Sequence, residues 1–280
     1  MELNTLETIG IDAIVDVLNL SFSDYIVPLQ LNSEQLQAKI VAENIKLDLS
    51  IGVFSSGKLV GFMLHAVNKL EGQLMAYNAA TGVIPDYRGQ GLVAKMYDYL
   101  LPKLKVLGVS EMVLEVIVGN TAAIRAYEKM NYKIHRTVNC YGGTIAITDK
   151  KNSIKIKEWR DFEWDTFTSF WSTEPTWQNT IQSLNNSKEH CHILKAYIKN
   201  EPVGYMVYNP TSRRILQIAV ASSHRRKGVG SQLVNTMSEA VNSKELFMNN
   251  VDDNSLETNT FLKNLGLLNK VSQFEMKRKI

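Results

Sequence analysis

Two stretches of the chain share one plan: residues 81–97, "TGVIPDYRGQGLVAKMY", and residues 218–234, "IAVASSHRRKGVGSQLV". Each holds an apolar run with strand character, a basic turn containing glycine, and residues spaced for an amphipathic helix. A strand that enters a helix through so tight a turn leaves the first backbone N–H groups of the helix without partners. Those donors, with the positive end of the helix dipole, form a ready anion site. Gly89 and Gly91, and in the second stretch Gly228 and Gly230, remove side chains that would keep a phosphate from the backbone. Arg88 in one turn, and Arg225, Arg226 and Lys227 in the other, add positive charge at the rim. The pattern predicts a pyrophosphate cradle in each half of the chain.

The surroundings of the two turns also repeat. Upstream of the first, "IDAIVDVLNLSF" has helical spacing, and a second helix is expected from Ser33, read as its N-cap. A hairpin is expected at Ser55-Ser56-Gly57-Lys58, then a buried run "LMAYNAATGVI". The helix after the turn is expected to bury Leu92, Met96, Tyr99, Leu100 and Leu107, and to kink or break at Pro102. In the second half "IKIKEW" reads as a strand, "FEWDTFTSFW" and "TWQNTIQSL" as partly helical, and "HCHILKAYIKNEPVGYMVYN" as a hairpin turning at Asn200-Glu201-Pro202. Gly61-Phe62 and Gly204-Tyr205 hold matching places. A recurrence at about half the chain length means a duplicated domain, not a short-period solenoid. The expected division is 1–147 for the first domain, a polar linker "TDKKNS" at 148–153, and 154–280 for the second.

Length agrees, since 280 residues suit two domains of ordinary size, and 45% hydrophobic with 21% charged residues is ordinary globular composition. A net charge of +3 gives no argument for a nucleic-acid partner. No apolar run approaches the ~20 residues that span a bilayer, and the start "MELNTLETIG" lacks the basic and apolar regions of a signal peptide. Cys140 and Cys191 form no ligand or disulfide pattern and read as free thiols in a reducing cytoplasm. The five histidines show no metal spacing, so no metal is expected.

Spacing separates kinds of cradle. Neither turn has the GxxxxGK[ST] of a nucleoside-triphosphate loop, and "GVGSQL" stops short of GxGxxG. Both fit [RQ]xxGx[GA] at its first and fourth positions, as Arg88-Gly89-Gln90-Gly91-Leu92-Val93 and Arg225-Arg226-Lys227-Gly228-Val229-Gly230, each beginning five residues after a valine, Val83 or Val220. That pattern resembles the acyl-CoA loop of the GNAT N-acetyltransferase superfamily; Val93 departs from it, where glycine or alanine is usual. A second segment, "LEVIVGNTAAIRAYEKMNY", resembles the same family's strand, asparagine, helix and tyrosine. Its later copy, "LFMNNVDDNSLETNTFLKNLGL", matches at Asn254 and has Phe261 seven residues on, where the first copy has Tyr127.

The resemblance covers nearly the whole chain. It implies an α/β (α+β) fold of two tandem domains, each a mixed, mostly antiparallel sheet flanked by helices. It implies acyl transfer from acetyl-CoA, or another acyl-CoA, to a primary amine of a small molecule or peptide. The loop residues, Asn120 and Asn254 are then expected to contact the cofactor, although both asparagines also suit helix N-caps. The Val83 N–H, or that of Val220, is expected at the thioester carbonyl, and Tyr127 is expected to protonate the leaving thiolate. A phenol of ordinary pKa ~10 lies near an alkyl thiol. No carboxylate base stands out; a water chain is expected, with Glu115 a secondary candidate. The first half keeps the acid and the second the small loop residue, so chemistry is expected in the first. Two alternatives stand beside it: catalysis in the second domain with a degenerate first, and a non-catalytic acyl-CoA sensor.

Overall fold

The computed structural model describes residues 1–27, 29–70, 72–146 and 153–280. Along the chain run β1 (Glu2–Thr5), α1 (Ile11–Ser21), α2 (Ser33–Glu43), β2 (Ile51–Ser55), β3 (Lys58–Leu70), β4 (Gln73–Val83), α3 (Leu92–Val106), β5 (Glu111–Ile117), α4 (Thr121–Lys129) and β6 (Lys133–Thr144). Then come β7 (Lys155–Trp159), α5 (Trp164–Thr168), α6 (Ile181–Asn186), β8 (His192–Ile198), β9 (Glu201–Asn209), β10 (Arg214–Val220), α7 (Val229–Ala240), β11 (Glu245–Asp252), α8 (Leu256–Asn264) and β12 (Leu268–Lys279). The chain forms two compact units, one of Met1–His135 with Phe274–Ile280, the other of Arg136–Gln273. Of the expected linker 148–153, all but Ser153 lies outside the described residues.

In the first unit the strands run β1-β2-β3-β4-β5, and the end of β12 lies beside β5. Pairing is antiparallel from β1 to β4 and parallel between β4 and β5. The hairpin at Ser55 forms as expected: Ser55 pairs with Lys58, and Ser56 and Gly57 both take positive φ, 49° and 75°. Two left-handed residues make the type of turn that suits the strands' twist. Helix α3 buries Leu92, Met96, Tyr97, Leu100 and Leu104 on a core with Ile51, Met63 and Met112. Tyr99 and Leu107, expected inside, are 36% and 49% exposed, because the buried stripe follows Tyr97 and Leu104 instead. Pro102 does not break α3. The carbonyl it strands belongs to exposed Asp98, which water can satisfy.

Helix α2 starts at Ser33, but its N-cap is Asn32. The Asn32 side chain accepts from Gln35 N–H at 2.8 Å, and Gln35 Oε1 accepts from Asn32 N–H at 2.9 Å. This reciprocal box satisfies two end donors. Asn32→Ala is expected to lower stability by about 1 kcal/mol, measured as a shifted urea midpoint with an unchanged slope.

The second unit repeats the plan: β7-β8-β9-β10 antiparallel, β10-β11 parallel, and β6 antiparallel to β11. Its hairpin turns at Lys199 and Asn200, both at positive φ (48° and 69°), not at Asn200-Glu201-Pro202. Ile198 pairs with Glu201, and Pro202 sits inside β9 opposite the irregular step at Tyr197, where a missing N–H is tolerated. Cys140 is buried and Cys191 half-buried, and neither forms a disulfide. No helix among the described residues is long and apolar enough to cross a membrane.

Candidate functional site

Strands β4 and β5 pair from Met75↔Glu111 to Asn78↔Leu114 and then part, while β4 runs on to Val83. On the other side β4 stays paired with β3 to its end, where Val83 faces Gly61. The next residue, Ile84, donates its N–H to Val60 O at 3.0 Å. In an antiparallel ladder that bond marks Val83/Gly61 as a non-hydrogen-bonded pair, so the Val83 N–H and C=O point away from β3, into the gap beside β5. The second unit builds the same thing. Strands β10 and β11 pair at Arg214↔Phe247 and Ile215↔Met248, Val220 faces Gly204, and Ala221 N–H donates to Val203 O at 2.9 Å. Each strand carries one extra residue four positions before its valine, Ala79 in β4 and Leu216 in β10. Such bulges re-aim a strand. Glycine is needed opposite the valines: a Cβ on Gly204 would lie 3.0 Å from Ala219 O, and one on Gly61 3.2 Å from Gly82 O.

The turns that follow are alike in conformation. Gly91 and Gly228 are the N-caps of α3 and α7 at φ 69° and 90°, and no side chain caps either helix. The first intrahelical bonds are Lys95 N–H to Gly91 O (3.2 Å) and Gln232 N–H to Gly228 O (3.1 Å). The amides of Leu92 and Val93, and of Val229 and Gly230, precede those bonds and lie at the helix starts. Gly89 is left-handed at φ 76°, and Arg226 takes the matching position at φ 62°. A Cβ on Gly89 or Gly91 would meet open space, so these glycines serve the turn's dihedral angles. Leu92 and Val229 are buried anchors, whereas Gln90 and Lys227 are exposed. Val93 packs against the first core. Gly230 is small for a visible reason: a Cβ there would lie 3.0 Å from the Phe261 ring.

The two arginines fold back on their own strands. Arg88 Nε donates to Val83 O (3.1 Å), Nη2 to Ser21 O (2.9 Å), and both Nη atoms to the Asp24 carboxylate (2.7 and 2.8 Å). The guanidinium bond holds the Asp24 carboxyl below its usual pKa. Arg225 Nε donates to Val220 O (3.0 Å), Nη2 to Phe170 O (3.3 Å) and Nη1 to Glu257 (2.7 Å).

Asn120 caps α4, accepting from Ala123 N–H at 3.1 Å and donating to the Tyr25 hydroxyl at 3.2 Å. Tyr127, half-buried, hydrogen-bonds Thr81. Thr81 Oγ1 donates to Asn78 Oδ1 (2.9 Å), Asn78 Nδ2 donates to Tyr97 OH (2.9 Å), and Tyr97 OH meets Tyr132 OH at 3.0 Å. Burial pushes the Tyr127 phenol up to about 12, against the opposing effect of the Thr81 bond. The phenol is therefore a weaker acid than its ordinary value suggests. Glu115 accepts a hydrogen bond from Tyr77, whose own pKa is raised, first by burial and then by that carboxylate.

In the second unit the equivalences fall one residue later than the sequence match. Asn120 N–H donates to Ile117 O, and Ser255 N–H to Asp252 O; Ile124 N–H donates to Asn120 O, and Asn259 N–H to Ser255 O. The turns after the helices agree, with Tyr132 N–H bonding Tyr127 O and Leu267 N–H bonding Leu262 O. Ser255, the N-cap of α8, therefore stands at the place of Asn120, and buried Leu262 at the place of Tyr127. Asn254 donates its N–H to Asp252 Oδ1, and Phe261 turns toward Gly230. Neither Phe261 nor Leu262 can give a proton.

A cavity of about 640 Å³ lies in this unit, lined by the end of β10, the start of α7, β11, α8 and the 170–175 segment. Val220, Arg225, Arg226, Gly228, Val229 and Gly230 border it. Trp171 and Tyr205 form its aromatic wall, with Trp171 Nε1 donating to Tyr205 OH and Tyr205 OH to Gln217 Oε1 (2.7 Å). No group of three or more potential metal ligands occurs among the described residues. Thr81, Asn78 and Tyr25 were not singled out from the sequence. Thr81 stands two residues before Val83, a place that bears on the gap once β4 is known to outrun β5; Tyr25 carries no local signal.

Comparison with known proteins follows the same division. The sequence model of the acetyltransferase (GNAT) family matches residues 14–132 and 156–267. Among curated proteins, N-alpha-acetyltransferase 30 of Schizosaccharomyces pombe is 37% identical over 59 residues, 21% of this chain and 39% of that one. The [ribosomal protein bS18]-alanine N-acetyltransferase of Escherichia coli is 34% identical over 84 residues, 30% of this chain and 54% of that one. The chain thus spans about half or less of these relatives. Among solved structures, a GCN5-related N-acetyltransferase from Sphaerobacter thermophilus has TM-score 0.74 at 14% identity, covering 99% of this chain and 95% of that one. A tandem GNAT protein from the clavulanic acid biosynthesis pathway has TM-score 0.73 at 11% identity, covering 99% and 98%. At those identities the likeness shows the fold, a tandem one.

Proposed function

The chain belongs to the acetyltransferase (GNAT) family, and from that premise we propose that it is an acyl-CoA-dependent N-acyltransferase that transfers an acetyl group to a primary amine, with its chemistry in the first unit. One observation carries the reading: in each unit a strand-end valine amide faces the gap left by the departing strand, directly before a helix start that no side chain caps. An elongated carrier whose pantetheine arm joins a diphosphate to a thioester fits that arrangement. The 640 Å³ cavity beside the second loop is of a size for such a ligand.

When bound, acetyl-CoA supplies the activated acetyl group. The amides of residues 89–93, and of 226–230, would hold the diphosphate through main-chain donors and the helix dipole. The Val83 N–H would donate toward the acyl oxygen as negative charge develops there, a contribution of about 3 kcal/mol in comparable sites. Tyr127 O–H, resting on Thr81, would turn to protonate the departing sulfur. Asn120 orients this corner by capping α4 and holding Tyr25. Glu115 is engaged with Tyr77, which leaves water as the route for the amine's proton. The acceptor is a small-molecule or peptide amine; the names of the curated relatives favour an amino-terminal one.

A second reading puts catalysis in the second unit, and the cavity there favours it. Variants separate the two, since the first predicts loss at Tyr127 and the second at Gly230. Incubation with acetyl-CoA and a panel of primary amines is expected to release free thiol only when amine is present. Tight binding of acetyl-CoA without thiol release from any amine would mean a sensor, not an enzyme.

A further inference from the structure

We propose that Arg88 and Arg225 are positioning residues that hold the strand-end valines for the reaction, and are not ligands of the diphosphate. Where β5 and β11 depart, each valine loses a strand partner for its carbonyl as well as its amide. An unpaired carbonyl there would face the same gap as the N–H and repel the negative charge developing on an acyl oxygen. Arginine removes that conflict in both units. Arg88 Nε donates to Val83 O at 3.1 Å and Arg225 Nε to Val220 O at 3.0 Å, leaving the N–H as the polar group that faces the gap.

The rest of each guanidinium grips a helix end: Ser21 O and Asp24 for Arg88, Phe170 O and Glu257 for Arg225. The acidic partner comes from the segment after α1 in one unit and from α8 in the other, yet the valine carbonyl is held alike. Among the contacts the two arginines share, the one to the valine carbonyl comes through Nε in both units. The Arg88–Asp24 pair is exposed, 41% and 56% at the side chains, so it contributes little to stability by itself. A planar guanidinium can span these acceptors at once; a lysine ammonium on a flexible stem cannot. The proposal rests on the reading that the Val83 amide serves the acyl oxygen, but its structural half is testable in the free protein.

The experiment compares wild type, Arg88→Lys, Arg88→Ala and Asp24→Asn by three readouts: the Val83 amide in ¹H–¹⁵N spectra of the ligand-free protein, coenzyme A affinity by calorimetry over a salt series, and kcat with KM for acetyl-CoA. Arg88→Lys keeps the charge and loses the fork. Its Val83 amide is expected to shift and exchange faster, its coenzyme A affinity to stay within about threefold, and its kcat to fall about tenfold. Asp24→Asn, which leaves the carbonyl contact in place, is expected to stay within about threefold in kcat. The proposal is overturned if Arg88→Lys leaves the Val83 amide and kcat unchanged. It is also overturned if Arg88→Ala weakens coenzyme A binding at least tenfold and lowers the salt slope by about one, the mark of a direct phosphate contact. It is overturned, too, if Asp24→Asn costs as much as Arg88→Lys. Wild-type protein that binds no coenzyme A would sink the functional reading instead, and the Val83 amide would still decide whether the clamp exists.

Discussion

Phenylalanine in place of Tyr127 is expected to lower turnover about 100-fold while coenzyme A affinity stays within about threefold. The hydroxyl sits at the gap beside β4, bonded to Thr81, and no equivalent exists in the second unit, where Leu262 and Phe261 occupy the corresponding turn. The expected loss lies at the low end for proton donation because burial raises the phenol to about 12, and a weaker acid transfers less of its proton in the transition state. The same shift decides the shape of the pH profile. With its pKa raised, Tyr127 remains protonated throughout neutral and mildly alkaline solution, so the wild-type to variant ratio is flat from about pH 6 to 9. An alkaline limb in the wild type that vanishes in the variant would contradict this. Full turnover in Tyr127→Phe, with loss of turnover in Gly230→Val, would move the chemistry to the second unit.

Acid is expected to weaken the first unit through His65. This residue is fully buried on β3, its ring edge-on to Tyr97 at 6.0 Å, and neither ring nitrogen has a hydrogen-bond partner among the described residues. Desolvation drives its pKa down to about 3. The unfolded chain takes up this proton near pH 6.5 and the folded one does not, so stability is full above about 6.5 and falls as pH drops toward 3. The difference reaches about 2 kcal/mol at pH 5 and about 5 kcal/mol in full. His65→Leu should flatten the dependence of denaturant midpoint on pH between 7 and 5. If the wild type and the variant lose stability in parallel over that range, the histidine is not the acid-sensitive group.

Both turns could be read from the sequence because their chemistry is local. A glycine before a helix, a basic residue five positions past a strand-end valine, and an amphipathic helix specify a conformation within a dozen residues. The family and the tandem fold followed from two such copies. What stayed hidden was non-local. The acidic partners of Arg88 and Arg225, Asp24 and Glu257, are distant in sequence, and no spacing rule connects them. Residue type misled at Asn254, since the capping place in α8 belongs to Ser255 and only the backbone bonds reveal the one-residue offset. Likewise Pro202 looked like a turn residue, but two left-handed residues were available one step earlier at Lys199 and Asn200. The last residues, Phe274–Ile280, complete the first unit, a pairing that chain order alone does not suggest.

The proposed function requires that main-chain amides at the two helix starts grip a diphosphate. The most direct measurement is a ¹H–¹⁵N titration of the full chain with coenzyme A, following the amides of residues 89–93 and 226–230 beside Val83 and Val220. Saturable downfield shifts are expected at one or both loops, reproduced by adenosine 3′-phosphate 5′-diphosphate and absent with pantetheine alone. Amides in both loops that stay unmoved while coenzyme A shifts resonances elsewhere, or nowhere, would contradict it.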